Sequence, residues 1–277
     1  MAKKVAYLGP AGTYAEQAAV SYDPDAEGVP CPSIPAVAQA VERGDADEGV
    51  VPIENSLQGS VTFTLDLLIH DSNLFIRNEL VLPIHHSLLA APGTRAKDIT
   101  VIYSHPQALA QCQDYIAKHH PKAEVVASLS TATAVQELAK HGKNAAAIGN
   151  LRAAELYGAE VLASNIEDNP NNVTRFVVLG KTPSARTGSD KTSICFWFDD
   201  DAPGLLYKVI KSFHELEINL AKIESRPTRE SLGRYIFLID MDGHRDDARV
   251  KKALAEVEKQ VSILKVFGSY PKAIAPV

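Results

Sequence analysis

The chain alternates between two hydrophobic rhythms. Short apolar runs are followed by polar or glycine-bearing turns, and these by segments of helical spacing. Val5–Leu8 reads as a buried strand, Gly9–Thr13 as a turn and Tyr14–Val20 as a helix. Pro35–Glu42 reads as a helix ended near Gly44, Gly49–Ile53 as a short strand, and Thr64–Ile69 as part of another helix. Phe75–Ala90 reads as one or two strands and Ile99–Tyr103 as another, leading into a helix with Pro106 in its first turn. Glu124–Ala127 and the helix begun by Ser130 repeat the unit, as do Ala145–Asn150 and the helix Leu151–Tyr157. Phe176–Leu179 is a last buried strand of this set. Repeated strand–turn–helix units predict an α/β fold with a parallel or mixed sheet. The stretches Leu80–Ala90 and Asn165–Leu179 read as crossings out and back, so the pattern predicts two lobes around a cleft.

From Lys191 the pattern changes. Lys191–Phe198 alternates as a strand, and Pro203–Phe213 is an amphipathic helix with Leu205, Leu206, Val209, Ile210 and Phe213 on one face. Ile218–Ser225 and Arg234–Asp240 read as strands, Asp246–Lys259 as a helix and Ser262–Phe267 as a strand. The order βαββαβ is the ferredoxin-like arrangement. The expected division is residues 1–181 as an α/β domain of two lobes, 182–190 as a polar linker, and 191–277 as an appended regulatory module.

Composition narrows the class. The 277 residues are 45% hydrophobic and 22% charged, as in ordinary soluble globular chains. A net charge of −6 with dispersed basic residues argues against nucleic acid as a partner. Cys31, Cys112 and Cys195 are widely spaced and form no CxxC pair, which fits a reducing cytoplasm and neither a disulfide framework nor a zinc site. The apolar run before Gly9-Pro10 is too short for a signal peptide or a membrane span, so the expectation is a cytoplasmic protein with no membrane partner.

Candidate chemistry clusters at strand ends. In Asp168–Gly180, Thr174 and Arg175 place a hydroxyl and a fixed cation where an Asn-rich loop meets a strand; the plain alternative is a surface strand entry. The turn Gly9–Thr13 has the strand–turn–helix geometry that points backbone N–H groups at a small anion, or else Thr13 only caps the helix. Glu54, Asn55 and Ser56 fall at the C-terminal end of a strand, where ligands bind in open α/β sheets, and Asn55 and Ser56 can equally cap the next helix. Ser104 and Gln107 would face the same crevice. His85 and His86 are adjacent on an extended segment, which opposes chelation of one ion, so a structural role is favoured and no metal is expected.

Taken together, Gly9–Thr13, Gly49–Ser56 with Gly59, Ser104–Leu109, Thr131-Ala132, Asn172–Phe176 and Ile223–Pro227 resemble, in order and over nearly the whole chain, prephenate dehydratase followed by an ACT domain, in the form without a fused chorismate mutase. The resemblance implies a two-lobed, periplasmic-binding-protein-like catalytic domain and a C-terminal ACT domain. It implies conversion of prephenate to phenylpyruvate, without a cofactor, in L-phenylalanine biosynthesis. It makes Thr174 the essential residue beside Arg175 and Phe176, with Thr13, Glu54, Asn55, Ser56, Ser104, Gln107 and Thr131 lining the cleft. It places allosteric L-phenylalanine near Gly204, Leu205, Asn219, Leu220, Glu224, Ser225, Arg226 and Pro227, between paired ACT domains of a homodimer or homotetramer. Here Pro203–Leu206 stands where the family often has Gly-Ala-Leu, putting a bulkier Leu205 beside the effector. Two rivals remain: a non-catalytic sensor of the same fold, and an arogenate dehydratase, whose substrate differs by an amino for a keto group.

Overall fold

Alanine-rich and β-branched runs supply the strands, and Thr13, Ser33, Ser130 and Asn150 cap the starts of several helices. The computed structural model describes residues 2–200, 202–228 and 234–273. In order, the chain forms β1 (Lys4–Leu8), α1 (Tyr14–Tyr22), β2 (Glu27–Cys31), α2 (Ile34–Arg43), β3 (Glu48–Asn55), β4 (Gly59–Ser60) and α3 (Thr62–Asp66). A π-helical turn, Leu67–Asp71, leads to β5 (Phe75–Pro83) and β6 (Ser87–Ala90). Next come β7 (Val101–Ser104), α4 (Pro106–Gln111), α5 (Gln113–His119), β8 (Glu124–Ala127), α6 (Thr131–Glu137) and β9 (Ala145–Gly149). They are followed by α7 (Leu151–Tyr157), β10 (Glu160–Ala163) and β11 (Val173–Gly180). The last fold comprises β12 (Asp190–Trp197), α8 (Leu205–His214), β13 (Leu220–Pro227), β14 (Tyr235–Asp242), α9 (Ala248–Glu258) and β15 (Ile263–Pro271).

The chain forms two compact units. Among the described residues, one joins the chain up to Thr62 to Leu80–Phe176; the other joins Phe63–Glu79 to the chain from Val177 to Ala273. Phe63–Glu79 thus lies within the 1–181 range read from the sequence but packs with the C-terminal fold.

The α/β body has two lobes, and the strands β5 and β11 of one of them are divided between the two units. In one, the strand order is β2-β1-β3-β11-β5, with β4 paired to β3, and β1 runs parallel to both β2 and β3. Ser33 caps α2, and Gly44, at φ 85°, ends it in the left-handed region that favours glycine. Val37 and Val41 are fully buried, and α2 comes so close to β3 that a Cβ on Gly49 would lie 2.6 Å from Val37 Cγ1. The other lobe has the order β10-β6-β9-β7-β8. Its central strand, β9, is buried along its whole length. Ala146 and Ile148 pack with Ile102, Cys112 and Ile116 on one face, while Ala145 and Ala147 pack with Val135, Ala153 and Ala154 on the other. A strand covered on both faces reads as an unbroken apolar run. The two-lobed α/β body is of the periplasmic-binding-protein type.

Two elements depart from the sequence reading. β2 was not legible because Glu27, Gly28 and Pro30 break the apolar pattern; it is an edge strand, where Pro is tolerated. The helix expected over Thr64–Ile69 is instead the short α3 giving way to the π-turn, closed by the Ser72 N–H on the Leu67 carbonyl at 2.9 Å.

In the second unit the sheet order is β13-β14-β12-β15, the ferredoxin-like βαββαβ. Ile194, Phe196, Val209, Phe213, Ile239 and Val257 form its core beneath α8 and α9.

Candidate active site

The end of β3 and the start of β11 are tied side by side. The Ser56 N–H donates to the Val173 carbonyl at 2.9 Å, and the Val173 N–H donates to Ser56 Oγ at 3.0 Å. Between them lies Asn55. Its Oδ1 accepts the backbone N–H groups of Leu57 and Gln58 at 3.0 and 3.1 Å, which fixes the amide's orientation. Nδ2 therefore faces β11, donating to Asn172 Oδ1 at 2.8 Å, to Thr174 Oγ1 at 3.0 Å and to the Val173 carbonyl at 3.2 Å. A threonine hydroxyl has one hydrogen to donate. With an Asn55 N–H occupying a lone pair of Thr174 Oγ1, that hydrogen is directed elsewhere, and no acceptor for it is found among the described residues. Thr174 is 9% exposed. The tight turn after Asn55 also means that neither Asn55 nor Ser56 caps the following helix.

Consecutive residues of an extended strand face opposite sides. Arg175 accordingly points away from the Thr174 side chain and pairs with Glu54, Nε and Nη2 approaching Oε2 at 3.1 and 3.0 Å. The resemblance puts the Arg175 cation beside Thr174 and Glu54 in the lining of the cleft. The structure balances the two charges against each other. Phe176, on the Thr174 side of β11, is buried at 2% exposure.

The amide chain continues into the second lobe. Asn172 Nδ2 donates to Gln111 Oε1 at 3.0 Å, and the same oxygen meets His86 Nε2 at 2.9 Å. Because Gln111 Oε1 is already an acceptor, His86 carries its proton on Nε2, and Nδ1 faces Tyr14 Oη at 3.2 Å. Tyr14 donates to the His85 carbonyl at 2.6 Å. Burial drives the His86 pKa below its ordinary value, outweighing Gln111 and Glu167, and drives that of Tyr14 well above. Glu167 accepts from His85 Nδ1 at 2.7 Å and from the His86 N–H at 2.8 Å. Its burial raises the carboxyl pKa, but these hydrogen bonds outweigh burial and hold it below the usual range. His85 and His86 thus take separate structural partners. Gln111 and Asn172 were not singled out from the sequence. Gln111 lies one helical turn beyond Gln107, a spacing that would have exposed it.

Other expected residues are committed elsewhere. The Gly12 N–H, read as an anion donor, is taken by Glu16 Oε2. Gly12 is also pressed against α7, where a Cβ would lie 3.1 Å from the Tyr157 ring. Thr13 donates to the Leu8 carbonyl at 3.0 Å and caps α1 by accepting from the Glu16 N–H, as the capping reading of this turn expected. Ser104 does not face a crevice: it is fully buried and donates to the Ile148 carbonyl at 2.7 Å. Gln107 and Thr131, in the first turns of α4 and α6, keep half-buried side chains with no hydrogen-bond partner among the described residues.

In the C-terminal fold, the expected effector residues fall into two sets. β12 and β13 both run antiparallel to β14, so they share a direction. Leu220 lies level with Thr192, both being paired with Met241, while Arg226 lies level with Trp197, both being paired with Ile236. Gly204 and Leu205 follow the end of β12 and begin α8, which runs back along the sheet. They lie at the Glu224–Pro227 end, whereas Asn219 and Leu220 lie at the other. Gly204 is left-handed at φ 88°, with nothing within 4 Å of where a Cβ would stand. One copy does not bring the two sets together.

Among the described residues no group of three or more His, Cys, Asp or Glu could hold a metal ion, and no helix is long and apolar enough to cross a membrane. The family model for prephenate dehydratase matches residues 5–184, and that for the ACT domain matches 200–259. A bifunctional chorismate mutase/prephenate dehydratase of Aquifex aeolicus is 43% identical over 98% of this chain and 74% of its own length. Arogenate dehydratase 5 of Arabidopsis thaliana is 41% identical over 99% of this chain and 68% of its own length. The crystal structure of a prephenate dehydratase from Arthrobacter aurescens in complex with L-Phe superposes with a TM-score of 0.90, at 38% identity, covering 97% of this chain and 90% of that one. A motif set in register, a hydroxyl held by an amide at the junction of two strands, and these matches agree: the chain belongs to the prephenate dehydratase family of lyases and carries a C-terminal ACT domain.

Proposed function

We propose that the protein converts prephenate to phenylpyruvate, carbon dioxide and water in L-phenylalanine biosynthesis, and that L-phenylalanine inhibits it through the ACT domain. The reaction breaks the bond to the ring carboxylate, releasing carbon dioxide, and the bond to the 4-hydroxyl, which leaves as hydroxide and takes up one proton from solvent. The ring becomes aromatic, so the drive lies in the substrate. The protein's task is to orient the substrate and ease departure of the oxygen.

The observation that carries this reading is the Asn55–Thr174 hydrogen bond. It leaves the threonine O–H as a donor aimed away from the amide, suited to the departing oxygen, where charge develops only as the bond breaks. A donor that strengthens in the transition state accelerates the step, whereas a cation on the leaving carboxylate would stabilise the ground state. Arg175, already neutralised by Glu54, acts in this account by holding β11 against β3 rather than as a clamp on a substrate carboxylate. Gln107 and Thr131 are the uncommitted polar groups for the substrate's polar end, and Phe176 supports the Thr174 face.

The L-Phe in the Arthrobacter relative supports phenylalanine as effector. Because one copy holds Gly204-Leu205 and Asn219-Leu220 at opposite ends of a strand, the pocket forms between ACT domains of two copies, making the protein at least a homodimer. Arogenate is the second substrate to test, given the 41% identity to a plant arogenate dehydratase. Phenylpyruvate formation from prephenate by the purified protein, with and without phenylalanine, tests the reading. Turnover suppressed by phenylalanine is expected; turnover of arogenate alone reassigns the substrate, and turnover without suppression removes the regulatory half.

A further inference from the structure

The segment Phe63–Glu79 lies within the span matched by the dehydratase family model, 5–184, yet it packs in the unit that holds the ACT domain. It is fastened there along its length. Arg226 Nη2 pairs with Asp66 Oδ1 at 2.9 Å. Lys265 Nζ, on β15, donates to the carbonyls of Ile69 and Ser72 at 3.2 and 2.9 Å, gripping the π-turn. Lys191 Nζ meets both oxygens of Glu79 at 2.8 Å, and the Ala273 N–H adds a third bond at 3.0 Å. Gly268 lies so close to Ile76 that a Cβ would stand 2.2 Å from its carbonyl oxygen. These are part-buried, charge-assisted contacts, stronger than exposed surface pairs. π-Turns, moreover, are uncommon and cluster at functional sites.

The two ends of the segment lead to one place. Its N-terminal end continues from β3 and β4, which carry Glu54 and Asn55. Its C-terminal end continues into β5. In the sheet order β3-β11-β5 these are the two neighbours of β11, which carries Thr174 and Arg175. Arg226 in turn belongs to Glu224–Pro227, the C-terminal end of β13. We infer that Phe63–Glu79 is a coupling strap, with Asp66 and Lys265 as positioning residues that transmit effector occupancy at Glu224–Pro227, the end of β13, to the Asn55–Thr174 pair. A ligand that draws on Ser225 and Arg226 changes the hold on Asp66, and the strap passes the change to both strands flanking β11. An effector acts only through differential affinity for two states, and the strap is the element that differs between them.

The inference rests on the phenylalanine regulation proposed above. Its test measures prephenate turnover against phenylalanine concentration for the full-length protein and for Asp66→Asn and Lys265→Met, with calorimetric phenylalanine binding and Tm alongside. The expected result is turnover without phenylalanine within about twofold of the parent, retained phenylalanine binding, and an inhibition midpoint raised about tenfold, a coupling loss within the usual range. Parallel losses of Tm and turnover would mark a merely structural role and overturn the inference. Two variants inhibited at the parent's phenylalanine concentration would overturn it while leaving the regulatory reading intact. A parent protein that phenylalanine does not inhibit would overturn both.

Discussion

The β3–β11 junction and the C-terminal effector positions organise their residues in opposite ways. At the junction, Asn55, Asn172 and Thr174 come from segments over a hundred residues apart and are joined within one copy by hydrogen bonds of 2.8 and 3.0 Å. In the ACT domain, residues of equal expected importance stand at opposite ends of β13. On the function proposed above, the junction would be complete within one copy, whereas the effector pocket would need a second.

The comparison is sharpened first by removing the hydroxyl. Thr174→Ala should lower kcat by ~10²–10³, the usual cost of one donor to developing charge, with Thr174→Ser retaining most activity. Equal losses would remove the hydroxyl from the account. Removing its holder should cost less: Asn55→Ala strips a buried amide from several partners, at about 1–3 kcal/mol in stability, read as a lower Tm together with reduced kcat. The split effector site makes a distinct prediction. Leu205→Glu and Asn219→Ala should each abolish phenylalanine inhibition alone, and mixed assemblies of the two should recover part of it, since some pockets then have neither change. Failure to recover would mean the pocket lies within one copy.

The smallest effect expected is on acid stability. His86, with its pKa below 6.5 in the folded protein, is neutral there but binds a proton in the unfolded chain as pH falls through its ordinary value. Stability should therefore decline below about pH 6.5. Glu167, with its pKa held below 4.5 when folded, contributes stability above that value that is lost as pH falls further through the folded pKa. A Tm that stays level from neutral pH to pH 4 would contradict the His86 sign, and one that stays level on further acidification would contradict that of Glu167.

Much of this was legible in the sequence because periodicity and end signals agreed. The apolar Ala145–Asn150 run read as a strand and is one, and the helix read over Pro35–Glu42 and ended near Gly44 is Ile34–Arg43 with Gly44 as its cap. The ACT fold was legible from the order of its strands and helices and the single apolar face of α8, whereas β12, read as alternating, is buried on both faces. What escaped did so for physical reasons. β2 is an edge strand without a continuous apolar face. The π-turn depends on Lys265, almost two hundred residues away. Ser104 and Thr13 carry hydroxyls that suit a ligand, but their use was decided by the Ile148 and Leu8 carbonyls, which only the fold brings near. The opposite orientation of Thr174 and Arg175 follows from the strand's alternation, and the pairing of Arg175 with Glu54 from the neighbouring strand.

The central claim is that Asn55 acts on the reaction through the Thr174 hydroxyl. The most direct measurement is a double-mutant cycle on kcat/KM for prephenate, comparing Asn55→Ala, Thr174→Ala and the double variant. The account predicts that, once Thr174 is alanine, removing Asn55 costs little more. Losses that multiply would show that the two side chains act independently and would contradict it.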